Sequence, residues 1–423
     1  MSQTSSLNPV GSDERIHSLD ALRGFAIFGI LVINIRVFTG YSYFMDDVKS
    51  QLLLSEWNAL FDWIHSVFFA GKFYTLFSLL FGVGFAIQFI RASSTDRSFI
   101  LHFSRRLFIL LIIGVVHLWG IWFSDILVIY ALCGYLLLFF KELSDRALLV
   151  IAFVVLGLSG VHAWYIHVAD GGYANSIYML LTESWNSADL PKGSADSETF
   201  QMRDLVAVIQ SESWETVLSF NYIGPLLRGY MISLDARIIK VLGVFLVGLW
   251  FGRQLMLRKI HENGPLLKKF LFWGLLIGLP LNIFFAMGNP TDMSNSEVYL
   301  LKDILEPFGI LALTTAYVSA FMLMYLTGFK RVLELLFNSV GKTALTNYIL
   351  QSIIGIILFY NAGFGLGEKL GSAALSVAVV LIFLFQVVIS NLWLNFFRYG
   401  PLEWGWRVLT YGKYIKMMKH ESD

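Results

Sequence analysis

Charge is scarce in this chain: 14% of its 423 residues are Asp, Glu, Lys or Arg, against 57% hydrophobic residues, and the mean hydropathy is +0.66. A soluble domain with so little charge has no means of covering its apolar side chains, so the composition excludes one and indicates a membrane protein of many spans. Cysteine is nearly absent too. Cys133 stands alone, which excludes an internal disulfide framework and a Cys-based metal site. The eight histidines are scattered without the His-Glu-x-x-His spacing, and no metal is expected. Lysine and arginine fall in small loop clusters and form no stripe interleaved with aromatics, so nucleic acid is not an expected partner.

Long apolar runs are what the chain has in abundance. With runs of about eighteen or more apolar residues as the criterion, an all-α polytopic bundle of about ten spans is expected. They are Leu19–Phe38, Phe73–Ile90, Leu107–Phe123, Ile126–Phe140, Ala147–Tyr165, Ala236–Phe251, Leu266–Met287, Ile304–Leu326, Thr343–Tyr360 and Ser372–Phe396. The stretch Trp57 to Ala70, aromatic and partly amphipathic, leads into the second as an interfacial segment. Met1 to Val10 is polar without a basic run, and no small-residue cleavage site follows the first span, so an uncleaved anchor is expected.

Connectors rich in Arg and Lys follow the second, fourth, sixth, eighth and tenth spans, for example Arg91, Arg97, Arg105 and Arg106, then Lys141 and Arg146. By the positive-inside rule these loops and both termini are cytoplasmic. The chain then divides into a tail over 1–18, a five-span half over 19–166, an extracytoplasmic loop over 167–235, a second five-span half over 236–399 and an interfacial tail over 400–423. The long loop is acidic. Its apolar residues, such as Ile177, Tyr178, Leu180 and Leu181, recur at helical spacing, so short helices lying on the membrane or capping a cavity are expected; a disordered linker is the alternative.

Polar residues inside apolar runs mark a site or a packing device. The first span carries Asp20, Arg23, Asn34 and Arg36. Asp20 and Arg23 share a face and can pair as a structural pin, or Arg23 can receive an anionic ligand from the cytosol. Asn34 is eleven residues beyond Arg23, and His117 eleven beyond Arg106, about 16 Å along each helix, so both fall near mid-membrane and can line one cavity. His117 is either a hydrogen-bonded packing residue or a base. Asp125, about 12 Å further on if the helix continues, reaches a histidine only through an intermediate group, or caps the next helix. Thr343, Asn347 and Gln351 repeat every four residues on one face, as interhelical hydrogen-bonders or as a cavity lining. In the tail, Pro401 starts a short helix on which Glu403 and Arg407 stand four apart and can pair.

Several of these stretches together resemble the YeiB-like family of bacterial inner-membrane proteins, a domain of unknown function. The resemblance covers nearly the whole chain. It rests on Leu19-Asp20-Ala21-Leu22-Arg23-Gly24-Phe25-Ala26 with Asn34, on Lys72-Phe73 with Leu76-Phe77-Ser78-Leu79-Leu80-Phe81-Gly82, on His117 with Asp125-Ile126-Leu127, on Ala344 to Gln351 and on Gly400 to Arg407. The opening motif is also similar to that of transmembrane acyltransferases such as the heparan-glucosaminide acetyltransferases and bacterial sugar O-acyltransferases, the latter with a histidine where this chain has Asn34.

That likeness implies an acyltransferase moving an acyl group from cytosolic acyl-CoA, such as acetyl-CoA, to an extracytoplasmic hydroxyl or amine on a small molecule or glycan. His117, with Asn34 and Asp125, holds the catalytic candidacy; Arg23 with Asp20, Lys72 and Arg407 the cofactor phosphates; Asn347, Gln351 and Thr343 the substrate cavity. Lys72 falls at the outer end of its span, away from a cytosolic ligand. Membrane lipids are the surrounding partners, and self-association is left open. A transporter or lipid-binding permease, or a purely structural membrane protein, are the rival classes.

Overall fold

The computed structural model describes residues 16–92, 96–194, 197–258, 262–287 and 296–419. These are mainly α-helical, and the β structure among them is limited to two isolated bridges. The helices of eight residues or more are α1 (His17–Phe38), α2 (Lys72–Arg91), α3 (Asp96–Gly120), α4 (Leu127–Phe140), α5 (Asp145–Val168), α6 (Ala174–Ser187), α7 (Met202–Ile209), α8 (Trp214–Leu234), α9 (Arg237–Arg258), α10 (Gly264–Met287), α11 (Ser296–Tyr325), α12 (Ala344–Phe359), α13 (Ser372–Phe396) and α14 (Pro401–Tyr411).

Among the described residues, eight helices are long and apolar enough to cross a membrane, or nine when Lys330–Lys342 and Ala344–Phe359, bent by 83° at Thr343, count as one span. The tenth expected span corresponds to α4, a shorter apolar helix. Helix α4 has 14 residues, about 21 Å in length, and falls short of the ~30 Å hydrocarbon layer. It nevertheless returns the chain to the end at which α3 began: just past it, Lys141 lies over the Phe89 ring and its carbonyl accepts from Arg253. The parity of the crossings is therefore kept, and both described termini meet at one end of the bundle, where Ile16 and Tyr411 line the same cavity.

Helix α1 forms the centre. Leu22, Ala26, Ile27, Leu31 and Ile35 are all buried there. Helices α2 and α9 approach so closely that a Cβ on Gly82 would lie 2.3 Å from the Phe245 carbonyl oxygen and one on Gly248 2.3 Å from that of Leu79, a small-residue contact suited to helices in lipid. The opposite surface is apolar: Phe272, Trp273 and Leu276 on α10 and Leu381, Phe385 and Val388 on α13 are exposed. Such faces have their solvent in acyl chains, because the backbone polar groups are already satisfied within each helix.

The acidic loop folds into α6, α7 and α8, in keeping with its helical spacing. Leu205, Val206, Val208 and Ile209 turn α7 inward, and the Ile209 carbonyl accepts from Asn361 just past α12. Helix α8 lies against the α3–α4 turn, where Asn221 donates to the Ile121 carbonyl. The loop thus covers the end of the bundle opposite the shared termini.

Candidate active site

Helix α3 stops at Gly120, and the backbone N–H groups of Ile121 and Trp122 both return to the His117 carbonyl, at 3.0 and 2.8 Å. This tight turn folds the chain back over its own last turn. Asp125 therefore reaches His117 directly: its Oδ1 lies 2.9 Å from Nδ1 of the imidazole. The expected ~12 Å separation along a continued helix is corrected by that turn, and no intermediate group is needed. The other carboxylate oxygen accepts the Val128 N–H at 2.8 Å, so the capping of α4 is also present. Arg228 of α8 donates to the Asp125 carbonyl at 2.9 Å, fixing the residue from a third side.

The second ring nitrogen of His117, Nε2, lies 2.9 Å from Oγ of Ser352 on α12. His117, Asp125 and Ser352 are all buried, with 0%, 2% and 1% of their surface exposed. With Asp125 as a carboxylate, which can only accept, and a neutral imidazole, Nδ1 carries the proton and Nε2 accepts from the serine hydroxyl. The result is a buried Asp–His–Ser relay. Sequence reasoning missed Ser352. It sits one residue after Gln351, outside the four-residue periodicity of the polar stripe, and its partner is 235 positions away.

The stripe itself faces elsewhere. Asn347 Nδ2 donates to Thr343 Oγ1 at 2.8 Å and Ser390 Oγ at 2.9 Å, and Gln351 donates to Gln386 at 2.9 Å and to the Ile27 carbonyl at 3.3 Å. Thr343, Asn347 and Gln351 are thus interhelical ties to α13 and α1, which corrects their assignment to a substrate cavity. The face of α12 rotated away from them carries Ala344, Leu345 and Tyr348 into a cavity.

That cavity has a volume of about 310 Å³ and runs in from the end shared by the termini. Its mouth holds Arg23, Arg91, Arg106, Lys342 and Arg407, against the carboxylates of Asp20 and Glu403. Phe77, Leu80, Phe81 and Leu110 form apolar walls, and Ile126, Leu127 and Tyr348 lie at depth. Directly behind Tyr348 is the relay: its ring centroid is 5.2 Å from that of His117. Beyond the relay, toward the far end of α1, the tilted rings of Phe38 and Trp122 meet with centroids 4.1 Å apart and close the interior.

Three cations of the mouth, Arg23, Arg106 and Arg407, have defined seats. Arg23 pairs with Asp20 at 2.7 Å and keeps a third of its side chain exposed. Gly84 opposite leaves it room, since a Cβ there would have only Arg23 Nη2 within 4 Å, at 3.8 Å. Arg106 donates to Gln88 at 2.7 Å and lies over the Trp406 ring, whose Nε1 donates to the Arg106 carbonyl. Arg407 lies over Tyr399. Glu403 accepts from the Thr346 N–H at 3.0 Å and its hydroxyl at 2.6 Å, fastening α14 onto the start of α12.

Two candidates stand apart from this arrangement. Lys72 is buried at the other end of α2, with Nζ on the Ser66 carbonyl, and is corrected as a cofactor ligand because α2 separates it from the mouth. Asn34 is half-buried one helical turn past Ile30, outside the cavity walls, and so does not line one cavity with His117 as expected. Among the described residues no cluster of His, Cys, Asp or Glu suits a metal ion.

Residues 251–413 match a family described as a protein of unknown function (DUF418). The chain is 31% identical over 415 residues to the uncharacterized protein YxaH of Bacillus subtilis (strain 168), covering 96% of this chain and 97% of that protein. It is 28% identical over 430 residues to the uncharacterized protein YeiB of Escherichia coli (strain K12), covering 94% and 96%. An uncharacterized protein from the amylase 3' region of Bacillus acidopullulyticus is 27% identical over 418 residues, 99% of this chain and 100% of its own length. With a likeness that runs nearly the full length of both chains, this protein belongs to the YeiB-like, DUF418 family.

Proposed function

We propose that the protein is an acyltransferase of the bacterial inner membrane. It takes an acyl group from acyl-CoA, acetyl-CoA in the simplest case, at the cytosolic face and passes it to a hydroxyl or amine acceptor from the outer side. The observation that supports this most is the seating of the Asp125–His117 pair directly behind the floor of a cavity with a cationic mouth and apolar walls. Phosphates are attracted to the mouth, where Arg23, Arg106 and Arg407 converge, and the acyl end enters the apolar part. His117, kept in one tautomer by Asp125, acts as general base.

The mouth faces the cytosol by the positive-inside rule, and with it both termini. Acceptors are small molecules or glycans, and the exposed apolar faces of α10 and α13 are bathed by lipid. The test is to supply radiolabelled acetyl-CoA to inside-out vesicles that contain the protein and a cell-envelope extract. Label appearing in an envelope product, and lost with His117→Ala, is the expected result. Movement of a ligand across the bilayer with no covalent product would replace this reading with a permease.

A further inference from the structure

We propose that Ser352 is the nucleophile of this reaction, carrying the acyl group as an ester between donor and acceptor; the proposal rests on the acyl-transfer reading above. The first support is occupancy. The lone pair of His117 Nε2 is taken up by the Ser352 hydroxyl at 2.9 Å, so the proton nearest the base is the serine's, and an acceptor would have to displace Ser352 to reach it. A general base removes the proton it is bonded to.

The second support is the contrast with several other buried or half-buried helical hydroxyls in this chain. Ser78, Ser233, Ser319 and Ser376 each donate to the carbonyl four residues back, the local solution for a hydroxyl in lipid-buried helices. Ser352 binds an imidazole on a distant helix. The third is rigidity. Asp125 is held at Oδ2 by Val128 and at its carbonyl by Arg228, so the imidazole is aimed at Ser352 before any ligand arrives. Tyr348, one turn before Ser352 on α12, lines the cavity and abuts His117. Rotation of that ring is what admits a thioester to the serine.

The chemistry closes without a further reactant. Ser352 Oγ attacks the thioester carbonyl carbon, its proton passes to His117 Nε2, the C–S bond breaks, and the thiolate leaves with that proton as CoA thiol. In the second half the acceptor hydroxyl or amine gives its proton to His117 and attacks the seryl ester; the C–Oγ bond breaks and Ser352 recovers the proton.

Full-length protein in lipid nanodiscs is incubated with radiolabelled acetyl-CoA alone, quenched in acid and digested, and transfer is then measured with acceptor extract. The expected result is one acetyl group on the peptide containing Ser352, none on the Ser352→Ala or His117→Ala proteins, and transfer by Ser352→Ala reduced at least ~10³-fold. Ser352→Cys keeps the falsifying power if the alanine variant folds poorly: it carries the label as a thioester released by neutral hydroxylamine. Transfer by folded Ser352→Ala at a rate near wild type, still dependent on His117, would overturn the nucleophile and leave the acyltransferase reading standing. A folded wild type that neither acquires nor transfers label would overturn both.

Discussion

Asp125 holds Nδ1 of His117 at 2.9 Å across a turn of eight residues, and the same carboxylate caps α4 through Val128. One side chain therefore couples the end of α3, the start of α4 and the orientation of the imidazole.

Substituting Asp125→Asn separates those roles. Asparagine caps a helix about as well as aspartate, so the melting temperature should change little, but an amide that donates to Nδ1 places the imidazole proton on Nε2. Transfer should fall by about 10²–10⁴-fold. Rates and melting curves of the two proteins decide it, and an unchanged rate would show that the pair only packs.

The cationic mouth makes a separate expectation. Arg23 is a third exposed, but its partner Asp20 is buried, so removing Arg23 leaves that carboxylate unpaired and costs some stability. Arg23→Ala should weaken acetyl-CoA binding by about tenfold, or ~1.4 kcal/mol, a larger effect than its loss of thermal stability. The affinity of the wild type should drop as salt rises toward 1 M, where the screening length shrinks to about 3 Å. Titration of CoA at two ionic strengths measures both; a loss of stability without a loss of binding would make Asp20–Arg23 a pin.

The polar stripe on α12 predicts the reverse pattern. Asn347→Ala removes the bonds to Thr343 and Ser390 and leaves buried hydroxyls short of a partner, at a cost of about 1–3 kcal/mol. Thermal stability should fall while the dissociation constant for acetyl-CoA stays put. A binding loss larger than the stability loss would return Asn347 to the cavity.

Much of this arrangement was readable from the residues, and the part that was not has a common cause. Asp20, Arg23 and Arg407 reach the cavity mouth because the helices that carry them start or end there, and a charge at a helix end is visible in the sequence. The Thr343, Asn347 and Gln351 stripe was legible as a face but not as to what it faces, since ties to Ser390 and Gln386 depend on how α12 rolls against α13. The relay depends on α3 ending at Gly120. An apolar run from Leu107 through Phe123 does not disclose that Trp122 folds back on the His117 carbonyl, so Asp125 looked too far away and Ser352 carried no signal of its own. Helix α4 reads as a span by composition, and only its length shows that it falls short.

Glu403 lies outside the spans and gives a pH signature. Burial pushes its carboxyl above the ordinary value of 4.5, against the hydrogen bonds from Thr346 that pull it down. A raised value in the fold means that folding favours the protonated acid. Its stabilising share is complete below 4.5, is lost as pH rises from there through the folded value, and is level above. Glu403→Gln retains hydrogen-bonding capacity toward Thr346 but does not titrate. Its melting temperature should stay level across that window while the wild type's declines; parallel slopes would mean that another group governs the change.

The most direct test of the central claim compares wild type and His117→Ala for acetyl-CoA binding and for acyl transfer to an envelope acceptor, in the same nanodisc preparation. His117 is fully buried behind Tyr348, away from the cationic mouth, so binding should remain nearly intact while transfer falls by about 10²–10⁴-fold, the range that general base catalysis commonly supplies. Transfer by His117→Ala at the wild-type rate would contradict the account.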